Sequence, residues 1–159
     1  MNMIGRKPTK TGWFTPMFPE KYKGDPTKIR YRSSWEQRVF QQCDTSHSII
    51  AWASEEIQIP YVDPTTYDPA TGAPKLRMYI PDIWLQVKLA DDSIKTMMFE
   101  IKPHKETIAP VNKQGKRRDR VLSENITYVK NLAKWEAAQK LCNKYGWEFK
   151  VISEQQIFG

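Results

Sequence analysis

Two periods of apolar residues alternate along the chain, and they divide it into helical and extended segments. Ser33-Ser34-Trp35-Glu36 has the spacing of a helix-capping box, and Trp35, Val39, Phe40 and Cys43 then recur on one helical face. This predicts a helix over residues 33–45. Residues 49–53 and 55–62 read as short strands, the second with Ile57, Ile59 and Tyr61 at a period of two and an end near Asp63. The run DPTTYDPATGAP is dense in proline, glycine and threonine, so residues 63–75 are expected to form a surface loop, with Asp63 and Asp68, each before a proline, as turn formers. Residues 76–89 and 94–103 are apolar and strand-like, and Ala90-Asp91-Asp92-Ser93 between them has turn composition, which predicts one long hairpin. Leu122, Ile126, Val129, Ala133, Ala137 and Leu141 then mark a helix over 123–145 that Gly146 stops, and residues 147–152 supply a last strand. The order describes a small α/β sandwich without internal repeats.

The first 30 residues differ in character. Prolines 8, 16, 19 and 26 alternate there with Trp13, Phe14, Phe18 and Tyr22, too aromatic a pattern for a plain disordered tail. An extended basic aromatic arm over residues 1–30, packing along the domain or a partner, is expected to precede a domain over 31–159.

Charge sharpens the picture. The 159 residues carry 25 Lys and Arg against 18 Asp and Glu, a formal balance of +7. The excess is concentrated: residues 1–32 hold eight bases against two acids, and residues 105–120 hold six against two. Clustered cations suit a polyanion, because neutralising phosphates releases condensed counterions. The plainer reading is a solvated basic tail and loop. No apolar run approaches the roughly 20 residues of a membrane span, and residues 1–14 lack the apolar stretch of a secretory signal, so the chain is expected to stay in the cytoplasm and off membranes. Two cysteines and two histidines leave too few soft ligands for a structural metal site. Any bound ion would be held by oxygen, which points toward magnesium-type chemistry.

Two phrases place charges inside apolar runs: Tyr79-Ile80-Pro81-Asp82-Ile83 and Phe99-Glu100-Ile101-Lys102-Pro103. Glu100 and Lys102, two apart in a strand, share a face. Asp82 joins them only if the hairpin pairs residues whose numbers have an even sum, as an odd-length loop centred on Asp91 or Asp92 would do. A two-residue turn would instead point Asp82 away. Two neighbouring carboxylates repel unless a divalent cation sits between them, and with a lysine beside them the logic is that of phosphodiester hydrolysis. Glu36 would supply a further ligand or, in the plainer reading, merely cap its helix. Glu100 and Lys102 would otherwise be an ordinary ion pair. A competing copy of the pattern, Glu148-Phe149-Lys150, has no acid in a nearby apolar run and is the weaker candidate. Lys130 and Lys134 lie four apart on the polar side of the second helix, as solubilising residues or as phosphate contacts.

Pro81-Asp82 followed by Glu100-Ile101-Lys102, with Glu36 on the first helix, resembles the PD-(D/E)xK nuclease superfamily. The SSWEQRVF helix, the YIPDI and FEIKP strands and the late KWEAAQKLCNKYGWEF segment look most like the head-completion nuclease branch of T4-like phages, and are also similar to transposase endonucleases of the TnsA type. The likeness covers roughly residues 30–155. It implies an α/β, restriction-endonuclease-like three-layer core, a mixed sheet flanked by helices. It further implies a deoxyribonuclease using Mg2+ or Mn2+, with Asp82, Glu100 and Glu36 as ligands and Lys102 managing the water. Double-stranded DNA would be gripped by Lys116, Arg117, Arg118 and Arg120, with Lys130 and Lys134, and phage head or portal proteins would be partners, in the host cytoplasm or on the virion. A basic head or neck assembly protein without turnover and a transposon-end endonuclease remain the alternatives.

Overall fold

The computed structural model describes residues 10–111 and 114–159. The first helix, α1 (Ser34–Thr45), begins where the sequence places it: Ser33 caps it by accepting from the Glu36 amide at 3.2 Å. The Glu36 side chain turns back and accepts from the Arg32 amide at 3.1 Å and the Ser33 hydroxyl at 3.3 Å. The cap is therefore reciprocal, shifted by one residue from the usual box.

The strands are β1 (Gly12–Phe14), β2 (Ile29–Tyr31), β3 (Ile49–Ser54), β4 (Ile59–Tyr67), β5 (Pro74–Tyr79), β6 (Ile83–Lys88), β7 (Ile94–Ile101) and β8 (Glu148–Ile152). The helix α2 (Arg118–Tyr145) precedes β8, and a short helix α3 (Glu154–Phe158) follows it. The central sheet has the order β3-β6-β7-β8, antiparallel except for the parallel β7–β8 pair. That parallel pair needs a long crossover, and α2 provides it.

Alternation along β6 and β7 feeds two cores. Ile83, Leu85 and Ile101 meet Val39, Phe40 and Trp52 beneath α1, whereas Met98 and Trp84 meet Ala138 and Cys142 of α2. With a helix layer on each side of a mixed sheet, the fold is the three-layer α/β arrangement expected from the resemblance. Fully burying such side chains stabilises the fold by about 1.5–3 kcal/mol each.

The segment 10–31 is built into the first core. β1 pairs with β2, and Phe14 and Tyr22 meet Trp52 edge-on at 5.9 and 4.7 Å between ring centroids. Asp44, buried at the end of α1, accepts from the amides of Met17 and Phe18 at 2.7 and 3.0 Å. The first nine residues of the expected arm lie outside the described residues.

Three expectations are corrected. Residues 63–75 form a loop only at 68–73, where Asp68 accepts from the Ala70 and Gly72 amides as a turn former: β4 continues to Tyr67, β5 starts at Pro74, and the two form a separate ribbon packed on α2. The chain tolerates prolines there because a two-stranded ribbon leaves alternate amides unpaired. Residues 76–89 are not one strand, because Pro81 has no amide to continue a ladder and the chain changes sheets across Ile80-Pro81-Asp82. In α2, Leu122, Ile126 and Val129 are exposed, since the first half of the helix turns Ser123, Thr127 and Asn131 toward residues 105–111 instead, and the buried residues are Asn131, Ala138 and Cys142. Helical spacing groups side chains on a face without ensuring that anything lies beneath it. Gly146, at φ 70°, ends α2 in the left-handed conformation, as its position suggests.

Candidate active site

Ile83 pairs with Phe99 and Lys88 with Ile94, an even sum throughout, and this register lines up Asp82, just before β6, with Glu100. The loop that sets this register has three residues, Ala90, Asp91 and Asp92, and Asp92 takes the left-handed position at φ 66°.

Asp82 stands where both faces of the sheet can be reached. Its Oδ2 accepts from the Ile101 amide at 2.8 Å, which fixes the carboxylate across the end of β7. On the α1 side, Glu36, Glu55 and Asp82 each present a carboxylate oxygen, and the three oxygens lie within 4.8 Å of one another. Glu36 is buried, while Glu55 and Asp82 are half-buried. Glu55 leaves β3 with φ 55°, an uncommon conformation for a side-chain-bearing residue. Its amide donates to the Asp82 carbonyl at 3.2 Å and its Oε2 lies 3.3 Å from the Arg32 guanidinium.

On the α2 side, Glu100 is held by two groups: the Tyr79 hydroxyl donates to its Oε2 at 2.8 Å, and Lys102 Nζ lies 3.8 Å from its Oε1. Burial pushes the Tyr79 phenol far above its ordinary range, and the neighbouring Glu100 and Asp82 charges push it further, so it stays a proton donor at working pH. Lys134 of α2 sits half-buried over the Tyr61 and Tyr79 rings, 6.0 and 5.9 Å from their centroids. Burial lowers its pKa, as does the ammonium of Lys102. One helical turn earlier, Lys130 Nζ is 3.7 Å from Asp63, which Arg77 also contacts at 3.1 Å.

Three carboxylate oxygens this close repel strongly unless a cation lies among them. All the donors are hard oxygens, the set that magnesium or manganese prefers, so residues Glu36, Glu55 and Asp82 fit a divalent ion. Glu100 lies outside this trio and faces Lys102. The Glu36 carboxylate both caps α1 and joins the cluster.

The other sequence candidates separate into two groups. Lys116 and Arg120 both bind Glu124, at 2.6 and 3.1 Å, and Arg117 binds Asp119 at 3.2 Å, so much of this basic segment is internally neutralised. Lys130 and Lys134 stand beside the Glu100 side of the site. The competing pattern on β8 is engaged elsewhere, with Glu148 bound by Lys95 and by Lys150. Sequence reasoning missed Glu55 and Tyr79. Nothing in Ser54-Glu55-Glu56 distinguishes the first acid from the second, whereas Tyr79 opens the very phrase that carries Asp82.

A mixed sheet with a helix layer on each face, and with acids and a lysine gathered at its strand ends, is the arrangement of a nuclease with the restriction-endonuclease-like fold. Residues 46–154 match the family described as TnsA-like endonuclease N terminal, and the chain belongs to that family. It is also similar to the Head completion nuclease of Enterobacteria phage T4, with 39% identity over 150 residues, covering 92% of this chain and 93% of that protein.

Proposed function

We propose that the chain is a divalent-metal-dependent DNA endonuclease of the PD-(D/E)xK type, acting on duplex DNA during phage head completion. The observation that carries the reading is the convergence of three carboxylate oxygens within 4.8 Å next to the end of β7, which carries Glu100 and is followed by Lys102. Asp82, Glu36 and Glu55 would hold Mg2+ or Mn2+, with Glu100 the further ligand from β7. The metal's contribution when bound is to acidify a water and polarise the phosphodiester. Lys102, with Glu100 fixing its ammonium, orients the attacking water and offsets negative charge that builds on the phosphate oxygens. Water oxygen bonds to phosphorus as a P–O ester bond breaks, leaving a phosphate and a hydroxyl end.

Lys130 and Lys134, together with Lys116, Arg117, Arg118 and Arg120, serve as backbone contacts, which hold DNA with little regard to base sequence. The head-completion reading is favoured over transposon-end cleavage because the phage relative aligns with almost the whole chain, whereas the family match begins at residue 46. Head or portal proteins are the expected partners, in the infected host's cytoplasm or on the virion.

Digestion of plasmid and linear duplex DNA with Mg2+, Mn2+ or EDTA tests this. The wild type should cut only with metal, Asp82→Ala and Lys102→Ala should not cut, and Mn2+ should raise the melting temperature of the wild type but not of Asp82→Ala. Cutting by Asp82→Ala at the wild-type rate would refute the assignment.

A further inference from the structure

Around the α2 side of the site the cations outnumber the carboxylates able to receive them. Lys102 has Glu100, and Lys130 and Arg77 share Asp63. Both acids are otherwise engaged: Glu100 takes the Tyr79 hydroxyl, and Asp63, fully buried, accepts from the Thr65 amide and from the hydroxyls of Thr65 and Thr66. Lys134 is left over. Among the described residues no carboxylate lies within ion-pair distance of it, and its ammonium rests over two tyrosine rings instead.

Lys102 and Lys130 repel this half-buried ammonium, while Glu100 and Asp63 attract it from beyond ion-pair distance, so an anion in direct contact would complete the site. Its cradle is rigid: Tyr61 and Tyr79 come from paired strands and are both buried, and α2 holds Lys130 and Lys134 one turn apart on the face that meets β4. Lysines on the outer surface differ. Lys140 is exposed and paired with Glu136 at 3.3 Å, so it needs no ligand.

We propose that Lys134, seated on Tyr61 and Tyr79, is the receptor for a backbone phosphate adjacent to the scissile phosphate on the same DNA strand. The inference rests on the endonuclease reading and deepens it, because it runs the substrate strand from Lys102 along the seam between α2 and the β4–β5 ribbon toward Lys130. The anion is a phosphodiester because the neighbouring site hydrolyses one. The segment 116–120, three of whose four cations already have a carboxylate partner, then becomes a secondary contact.

The test measures binding apart from cutting, using a fluorescent 20-base-pair duplex and the Asp82→Ala protein, with and without Lys134→Gln. Lys134→Gln should weaken binding about tenfold, comparable to one charge-assisted hydrogen bond. It should also reduce the slope of log affinity against log salt by about one. Lys134→Arg should restore most of the binding, and Lys140→Gln should leave both readouts unchanged. In the active background, Lys134→Gln should raise KM with kcat nearly kept. Wild-type affinity and salt slope in Lys134→Gln would overturn the proposal, as would a loss of kcat without a change in KM. Lys134→Arg also resolves a folding defect: if both variants melt early and bind alike, the lysine is structural and the proposal fails. Cutting by Asp82→Ala, in contrast, would refute the catalytic assignment while leaving the binding result standing.

Discussion

Replacing Asp63 by Asn would remove one negative charge from the most enclosed ion cluster outside the carboxylate trio. The side chain is fully buried; Oδ1 accepts from the Thr65 amide at 2.9 Å and the Thr65 hydroxyl at 2.6 Å, while Oδ2 meets Thr66, Arg77 and Lys130. In Asp63→Asn the amide nitrogen can take the Oδ2 position, setting a donor against two cations and a hydroxyl. Breaking a buried ion pair costs about 3–5 kcal/mol. Arg77 and Lys130 keep part of their surface in water, with side-chain exposures of 41% and 33%, and can rehydrate, so the lower end applies, about 3 kcal/mol. That is a large share of a total stability of about 5–15 kcal/mol. At roughly 2–4 °C per kcal/mol for a chain of this size, the melting temperature at pH 7 should fall by about 6–12 °C. The pH dependence follows from linkage. Burial would raise the Asp63 pKa from its ordinary 3.8, but the Thr65 and Thr66 hydrogen bonds and Lys130 outweigh it and hold it at about 2. A depressed native pKa stabilises the fold above the unfolded value, and that contribution is lost as pH falls from about 4 to about 2. Melting followed by circular dichroism from pH 7 to pH 2 should therefore show the gap between wild type and variant narrowing through that window. A gap below about 2 °C at pH 7, or one that stays constant down to pH 2, would refute the reasoning.

Two further substitutions probe the site and its frame. Tyr79→Phe keeps the ring beneath Lys134 but removes the donor to Glu100; a hydrogen bond to a charged group contributes about 1.5–3 kcal/mol, so kcat should fall at least about tenfold while duplex affinity is retained, as single-turnover cutting and a binding titration would show. Equal single-turnover rates would mean that Glu100 needs no positioning by the phenol. Gly146→Ala forces a side chain into a backbone at φ 70° and should lower stability by about 1 kcal/mol in a denaturant titration, with cutting at low temperature unchanged.

Local chemistry fixed what depends on neighbours in sequence. Ser33 and Glu36 announce the start of α1 and Gly146 announces the end of α2, whereas the break that Pro81 makes between β5 and β6 was masked by the continuous apolar run over 76–89. The aromatic density of the N-terminal segment signalled packing, and Phe14 and Tyr22 are indeed against Trp52. The ribbon was hidden because Asp63-Pro64 carries the same turn chemistry as Asp68-Pro69, which does make the turn between β4 and β5. The interactions that override it at Asp63, from Arg77 fourteen residues away and Lys130 on a distant helix, have no local signature.

Which side chains could share a face was therefore legible from strand alternation alone: Glu100 and Lys102 always, and Asp82 once the three-residue loop at Ala90, Asp91 and Asp92 sets the register. Which side chains meet in space was decided only when β3, β6 and the start of α1 packed together, because that brought Glu55 to Asp82 and Glu36. The same holds across the sheet, where α2 laid Lys134 over Tyr61 and Tyr79. Short-range sterics and capping act within a few residues and leave their mark on the sequence. The convergence of charges depends on how layers stack, and no single segment encodes it.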